Sequence, residues 1–206
     1  MKLYGFGQSR SFRALWALEE SELAYEYIPV DFGSSEGPLG SRSEEYKEIN
    51  SQGKVPTLID GDLILTESGA MVSYIAKKAS DRNLIPLDNL EQLALYDEIL
   101  FFVLSDLEQP LWSNGKHRFA LPEEQRIPDM LITAVWEFNK AQVALEHHLG
   151  DREFAVGDHF TVADIFVSHT INWAQRFEFK VEQKFLDYRD RHYQRSAAKK
   201  ALEIVI

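Results

Sequence analysis

Residues 51–76 read SQGKVPTLIDGDLILTESGAMVSYIA, and the order of signals inside them decides the fold. Two short apolar runs flank Asp60-Gly61, a dipeptide that closes tight hairpins. A helical period follows, with Met71, Ile75 and Ala79 on one face and Lys77 and Lys78 in the last turn, where cations are favoured. Pro56 stands at the strand entrance; it has no N–H and holds Val55 extended. Glu67-Ser68-Gly69 stands at the helix entrance, where the first four N–H groups have no intrahelical acceptor. Both junctions leave backbone groups free, and free backbone groups in a fixed geometry suit a small peptide ligand.

Upstream, KLYGF starts a strand, and SFRALWALEESE places Phe12, Leu15, Trp16 and Leu18 at helical spacing. YEYIPV is a second strand, and the glycine-serine stretch 33–42 a loop. Ser41 and Glu44 have capping-box spacing and predict a short helix through Ile49. The order is βαβαββα. The first strands need a crossover helix and are therefore parallel, whereas the last pair is antiparallel by its turn. From residue 88 strand signals vanish and helical periods take over, at 88–113, 124–149, 161–178 and in two shorter stretches. The expected class is α+β: a mixed domain over 1–80, a linker over 81–89 containing Pro86, and an all-helical domain over 90–206.

The 206 residues, 45% hydrophobic and 27% charged, suit one large or two small globular domains. There is no cysteine, which excludes disulfides, thiolate metal sites and a cysteine nucleophile. With 33 acids against 22 bases the net charge is −11, which argues against nucleic-acid binding. No apolar run approaches the roughly 18 residues of a membrane span, and the N-terminal segment lacks a signal-peptide pattern. The expectation is a cytoplasmic protein with no membrane partner.

At the helix entrance, Ser68 could donate its hydroxyl to a carboxylate, favoured there by the helix dipole, while Glu67 could pair with an adjacent ammonium. Carboxylate and ammonium on one carbon describe an amino-acid end group; a plain helix cap uses the same residue types. The first strand-helix junction, YGFGQSRSFRALWALEE, carries permissive Gly5 and Gly7, then Ser9 and Ser11 flanking Arg10. A serine there also serves as an ordinary N-cap. No histidine lies nearby to make either a nucleophile, and GFG lacks the third glycine of a dinucleotide fingerprint. Further on, Thr161 and Asp164 form a capping box before an apolar run. His147-His148 reads as solvated surface, and Tyr96, Ile99, Leu100, Val103 and Leu107 form a helix-packing stripe.

SRSFRALWALEE, NSQGKVPTLIDGDLILTES and FAVGDHFTVADIFVSH, in this order, resemble the cytosolic glutathione transferases over nearly the whole chain, of a bacterial, serine-type, theta- or beta-like kind. The resemblance implies a thioredoxin-like glutathione-binding domain, an all-α electrophile-binding domain and a cis bond before Pro56. It implies that Val55 exchanges backbone hydrogen bonds with the cysteinyl unit, that Glu67 and Ser68 hold the γ-glutamyl end, and that Lys54 reaches a glutathione carboxylate. Glutathione would be the co-substrate, without a metal, and the protein a homodimer meeting at the helix that carries the 96–107 stripe. The stretch 109–126, with Trp112, His117 and Phe119, would overlook the electrophile, or else be a surface loop.

A free thiol has a pKa of about 8.5, so little is thiolate at pH 7, and a donating hydroxyl favours the charged form. By the resemblance, Ser9 falls where theta-like enzymes carry their serine; Ser11 and then Tyr4 are the alternatives. Arg10 occupies the place where some bacterial classes carry cysteine, which disfavours thiol-transferase and dehydroascorbate-reductase chemistry. The implied activity is conjugation of the thiolate to a soft hydrophobic electrophile, with a glutathione-dependent peroxidase activity as companion. The alternative is a non-catalytic interaction or regulatory protein built on the same fold; the set Ser9, Lys54, Pro56, Glu67 and Ser68 favours the enzyme.

Overall fold

The computed structural model describes residues 1–205. The described residues form two compact units: residues 1–85 together with 194–205, and Pro86–Tyr193.

The first unit runs β1 (Lys2–Gly5), α1 (Ser11–Ser21), β2 (Glu26–Pro29), α2 (Glu44–Ile49), β3 (Thr57–Asp60), β4 (Leu63–Leu65) and α3 (Ser68–Lys78), the expected βαβαββα order. The sheet order is β2-β1-β3-β4. β1 and β2 are parallel, while β3 is antiparallel to both β1 and β4. The hairpin turn is one residue later than the dipeptide suggests: Asp60 still pairs with Leu63, and Gly61 takes the left-handed conformation at φ 60°. Asp60 instead accepts hydrogen bonds from Tyr74 Oη at 2.7 Å and from Lys78, tying the hairpin to α3.

α1 is buried nearly all round, with Phe12, Leu15, Trp16 and Leu18 at 0% exposure. Burying each such side chain stabilises the fold by about 1.5–3 kcal/mol. One flank of α1 meets α3; the other meets α9 (Ser196–Ile204), which lays Ala197, Ala198 and Ala201 against it. Small residues let the two backbones approach closely. Arg195 then clasps Glu20 with Nε and Nη2, at 2.6 and 2.8 Å, and Glu20 also accepts from Trp16 Nε1 at 2.9 Å. Here the structure differs from the expected 90–206 domain: the last helix belongs with the first unit. The short helix α2 also differs in its start. Ser43, not Ser41, caps it by accepting from Tyr46 N at 3.1 Å, while Ser41 Oγ accepts from Gly33 N at 2.8 Å and pins the preceding loop.

The second unit holds α4 (Leu90–Phe102), α5 (Gln109–Gly115), α6 (Asp129–Leu149), α7 (Val162–Arg176) and α8 (Gln183–Tyr193), with π-helical turns at Val103–Leu107 and Lys116–Ala120. Trp112, His117 and Phe119 therefore lie on helical turns; His117 Nδ1 accepts from Ile127 N at 3.1 Å, and Phe119 meets Phe177 edge-on. The capping box forms: Asp164 accepts from Thr161 N at 2.8 Å, and also from Ala155 N at 2.8 Å and from Tyr188 Oη. Burial pushes the Asp164 carboxyl up, and these donors pull it back. His148 is half-buried rather than solvated, its ring 4.5 Å from that of Phe102. Tyr96, Ile99, Leu100, Val103 and Leu107 are all buried within the chain, so these five residues are core, while Leu95 and Phe101 on the same helix stay exposed. Among the described residues, no helix is long and apolar enough to cross a membrane.

Candidate functional site

Strand register collects the sequence candidates at one edge of the sheet. β1 and β2 end side by side, with Gly5 opposite Pro29; β3 begins there, with Thr57 opposite Tyr4; and β4 ends there, with Leu65 opposite Leu58. The loops leaving that edge carry Ser9 and Ser11, Val55 and Pro56, and Glu67 and Ser68. This is the edge at which open α/β sheets receive ligands.

At the first junction the hydroxyls of Ser9 and Ser11 are 2.9 Å apart. Ser11 is fully buried and its Oγ accepts from Phe6 N at 3.2 Å. Ser9 Oγ accepts from Ser11 N at 3.2 Å, and Ser9 carbonyl accepts from Phe12 N at 3.0 Å, so Ser9 closes the helix start. Counting donors settles the direction of the shared bond. Were Ser9 the donor, the Ser11 proton would be buried without an acceptor, which costs roughly 1–3 kcal/mol. Ser11 therefore donates to Ser9, and the half-buried Ser9 keeps its own O–H free to point outward. Of the two serines offered by the sequence as the hydroxyl, Ser9 is half-buried at the helix start and Ser11 is fully buried beside it. Gly5 is required beneath them, because a Cβ there would stand 2.9 Å from Ser11 Cβ and 2.8 Å from the Tyr27 ring. Burial pushes the Tyr27 hydroxyl up to about 12, so it stays protonated at neutral pH.

The peptide bond between Val55 and Pro56 is cis. Val55 lies two residues outside the first strand pair of β3, so no strand claims its backbone. A buried polar cluster underneath holds this loop. Tyr46 Oη donates to Lys54 carbonyl at 2.9 Å, Asn50 Nδ2 donates to the same carbonyl at 2.7 Å, and both contact Thr57 Oγ1, at 3.1 and 3.0 Å. Burial raises the Tyr46 pKa, against the opposing pull of the Thr57 hydroxyl. These three residues escaped the sequence reading, since helix, loop and strand each supply one and no spacing links them. Lys54 is exposed, its Nζ donating to Gln52 Oε1 at 2.7 Å.

Glu67 is the extended residue before α3 and is exposed; its side chain caps nothing. The first N–H groups of α3 thus receive no cap from the Glu67 side chain. Ser68 is 4% exposed. Tyr4 turns towards α2, its ring 6.3 Å from that of Tyr46. Among the described residues, no group of three or more histidine, aspartate or glutamate side chains could hold a metal ion.

Comparison with known proteins agrees with this architecture. Residues 1–77 match the family described as "Glutathione S-transferase, N-terminal domain" and residues 116–194 its "C-terminal domain" counterpart. Glutathione S-transferase Z1 of Arabidopsis thaliana is 30% identical over 186 residues, spanning 88% of this chain and 81% of the plant protein. A sphingomonad glutathione S-transferase solved in complex with glutathione is 25% identical with a TM-score of 0.85, over 100% of this chain and 98% of that one. The theta class enzyme of Xanthomonas axonopodis pv. citri, solved with glutathione bound, is 26% identical with a TM-score of 0.78, over 98% and 96% of the two chains. With both domain families matched in order and a relative covered over most of its length, the chain belongs to the glutathione S-transferase family.

Proposed function

We propose that this chain binds glutathione along the sheet edge, keeps its thiol as thiolate with the Ser9 hydroxyl, and transfers it to a soft electrophile. The observation that carries this reading is the half-buried Ser9 hydroxyl on the same edge as the unclaimed Val55 backbone and the open N-terminus of α3. The α-carboxylate of the γ-glutamyl end meets the first turn of α3, with Glu67 taking the ammonium and Lys54 in reach of a carboxylate. Val55 pairs with the cysteinyl backbone, and the sulfur faces Ser9. The thiol proton passes to solvent; the thiolate then attacks the electrophilic carbon, a C–S bond forms, and the leaving group departs with its electron pair. Glutathione-affinity capture followed by a chlorodinitrobenzene conjugation assay tests the reading. Capture with turnover supports it. Capture without turnover on any soft electrophile favours the non-catalytic alternative, and failure of both sinks the site.

A homodimer is the assembly we propose. With the 96–107 stripe buried, support comes from other residues: α6 exposes Ile132, Trp136 and Val143, at 73, 64 and 70%, at positions that share one helix face. A groove of about 250 Å³ runs beside them, lined by Phe102, Asp106, Pro110, Trp136, Glu137 and Lys140. Exposed apolar residues in such a row mark an interaction surface.

A further inference from the structure

The turn between β3 and β4 holds a pair of residues able to react with each other. Gly61 has no side chain to shield its backbone nitrogen; it is exposed at φ 60°, and no atom lies within 4 Å of the position a Cβ would take. Asp60 stands directly before it. When the Gly61 nitrogen attacks Asp60 Cγ, an N–Cγ bond forms and a Cγ–O bond breaks. The departing oxygen leaves as water, taking the N–H proton and one proton from solvent. Water then reopens the cyclic imide. Attack at Cγ restores aspartate, whereas attack at the Asp60 main-chain carbonyl routes the chain through Cβ and Cγ, an isoaspartate with an added backbone carbon. Nothing is oxidised or reduced, and water is the sole co-reactant.

Two features of the hairpin oppose this reaction. Ring closure needs Cγ and the next nitrogen on the same side of the Cα–C bond, which extended backbone does not provide. Asp60 is the last residue of β3 and pairs with Leu63, so each event requires the hairpin end to open. The second feature is the tie to α3. Asp60 Oδ2 accepts from Tyr74 Oη at 2.7 Å and from Lys78 Nζ, residues one turn apart on the helix. The Lys78 hydrogen bond, and then that of Tyr74, holds the Asp60 carboxyl below its ordinary value, so the protonated form from which water departs is scarce. We propose that Asp60-Gly61 is a self-modification site that converts to isoaspartate, and that Tyr74 and Lys78 guard it by holding the hairpin end shut. Conversion also has a direction for function. The added carbon breaks the Asp60–Leu63 register and withdraws the carboxylate from α3, the helix whose first residue is Ser68. Resting on the glutathione reading above, the converted chain binds glutathione more weakly.

The test incubates the unaltered protein, Tyr74→Phe and Lys78→Ala at physiological temperature in mildly acidic heavy-oxygen water, then digests each. Every passage through the imide leaves a heavy oxygen in the Asp60 peptide, and chromatography separates its aspartyl and isoaspartyl forms. Either substitution is expected to raise both signals about five- to tenfold, the effect of one partly exposed hydrogen bond on the balance between closed and open hairpin. Lys78→Arg should keep the low rate, and Asp60→Glu, whose carboxyl is a carbon too distant for the same ring, should abolish both signals. Asn114-Gly115, the other pair of this kind in the sequence, lies within α5 with Asn114 8% exposed; it is the internal reference and should not change. Equal accumulation at Asp60 in all the proteins overturns the guarding role, as does a rise at Asn114 in step with Asp60, which marks general unfolding. No label at Asp60 in any variant overturns the site. On immobilised glutathione, the isoaspartyl form of aged protein should concentrate in the unbound fraction; equal amounts in both fractions overturn the coupling. Failure of fresh protein to be retained sinks the glutathione reading and the coupling with it, whereas the labelling at Asp60 is read without glutathione and stands apart.

Discussion

Replacing Ser9 with alanine removes two things at once, and the structure separates them. The first is the helix start, where Ser9 Oγ accepts from Ser11 N. Loss of such a cap costs about 1 kcal/mol of stability, read as a lowered urea midpoint. The second is the free O–H, whose hydrogen bond to a thiolate is worth about 1.5–3 kcal/mol. Turnover should therefore fall roughly ten- to a hundredfold, and the thiol pKa in the complex should rise by about one to two units. Affinity for glutathione should change little, since the proposed site holds the peptide through Val55, Glu67 and Ser68. Ser11→Ala works through Ser9. It strips Phe6 N of its acceptor, at a cost of about 1–3 kcal/mol, and leaves the Ser9 hydroxyl without the donor that orients it. Its effect on turnover should be partial and should vanish in a Ser9→Ala background, a non-additivity expected of residues that share one interaction. The assays are the pH dependence of turnover, the ultraviolet difference absorbance of bound thiolate, and urea unfolding of the four members of the cycle. A Ser9→Ala variant with wild-type thiol pKa and turnover refutes the hydroxyl mechanism. Full additivity of the two substitutions in turnover refutes the relay between the serines.

Tyr46→Phe should weaken glutathione binding several-fold while leaving the thiol pKa alone, because it loosens the Lys54–Thr57 support rather than touching sulfur; calorimetric titration measures it, with a stability loss of about 1 kcal/mol. Asp164→Ala leaves the Ala155 and Thr161 N–H groups and the Tyr188 hydroxyl buried without their acceptor. Denaturant unfolding should show a loss of at least about 3 kcal/mol. Light scattering at micromolar concentration should give twice the 23.7 kDa chain mass, and Trp136→Glu should shift it towards the single chain. A single-chain mass for the unaltered protein ends the dimer proposal.

Much of the fold was legible because its signals are local. The hairpin in 57–65, the parallel pair joined by α1 and the Thr161–Asp164 box each lie within a few residues or one crossover, where propensity and spacing act directly. Sequence also named the residues of the candidate edge, although Glu67-Ser68 and Ser9-Arg10-Ser11 are, by spacing alone, ordinary helix starts. Only tertiary structure decided the rest. Arg195 meets Glu20 across 175 residues, so no window along the chain could assign α9 to the first unit. Tyr46, Asn50 and Thr57 converge under Lys54 from a helix, a loop and a strand. The 96–107 stripe has the same period whether it faces a core or a second copy; burial makes it core. The two serines look alike in sequence, and only burial separates them: Ser11 is sealed from water above Gly5, whereas Ser9 stays half-exposed, which is why the proposal gives the sulfur to Ser9.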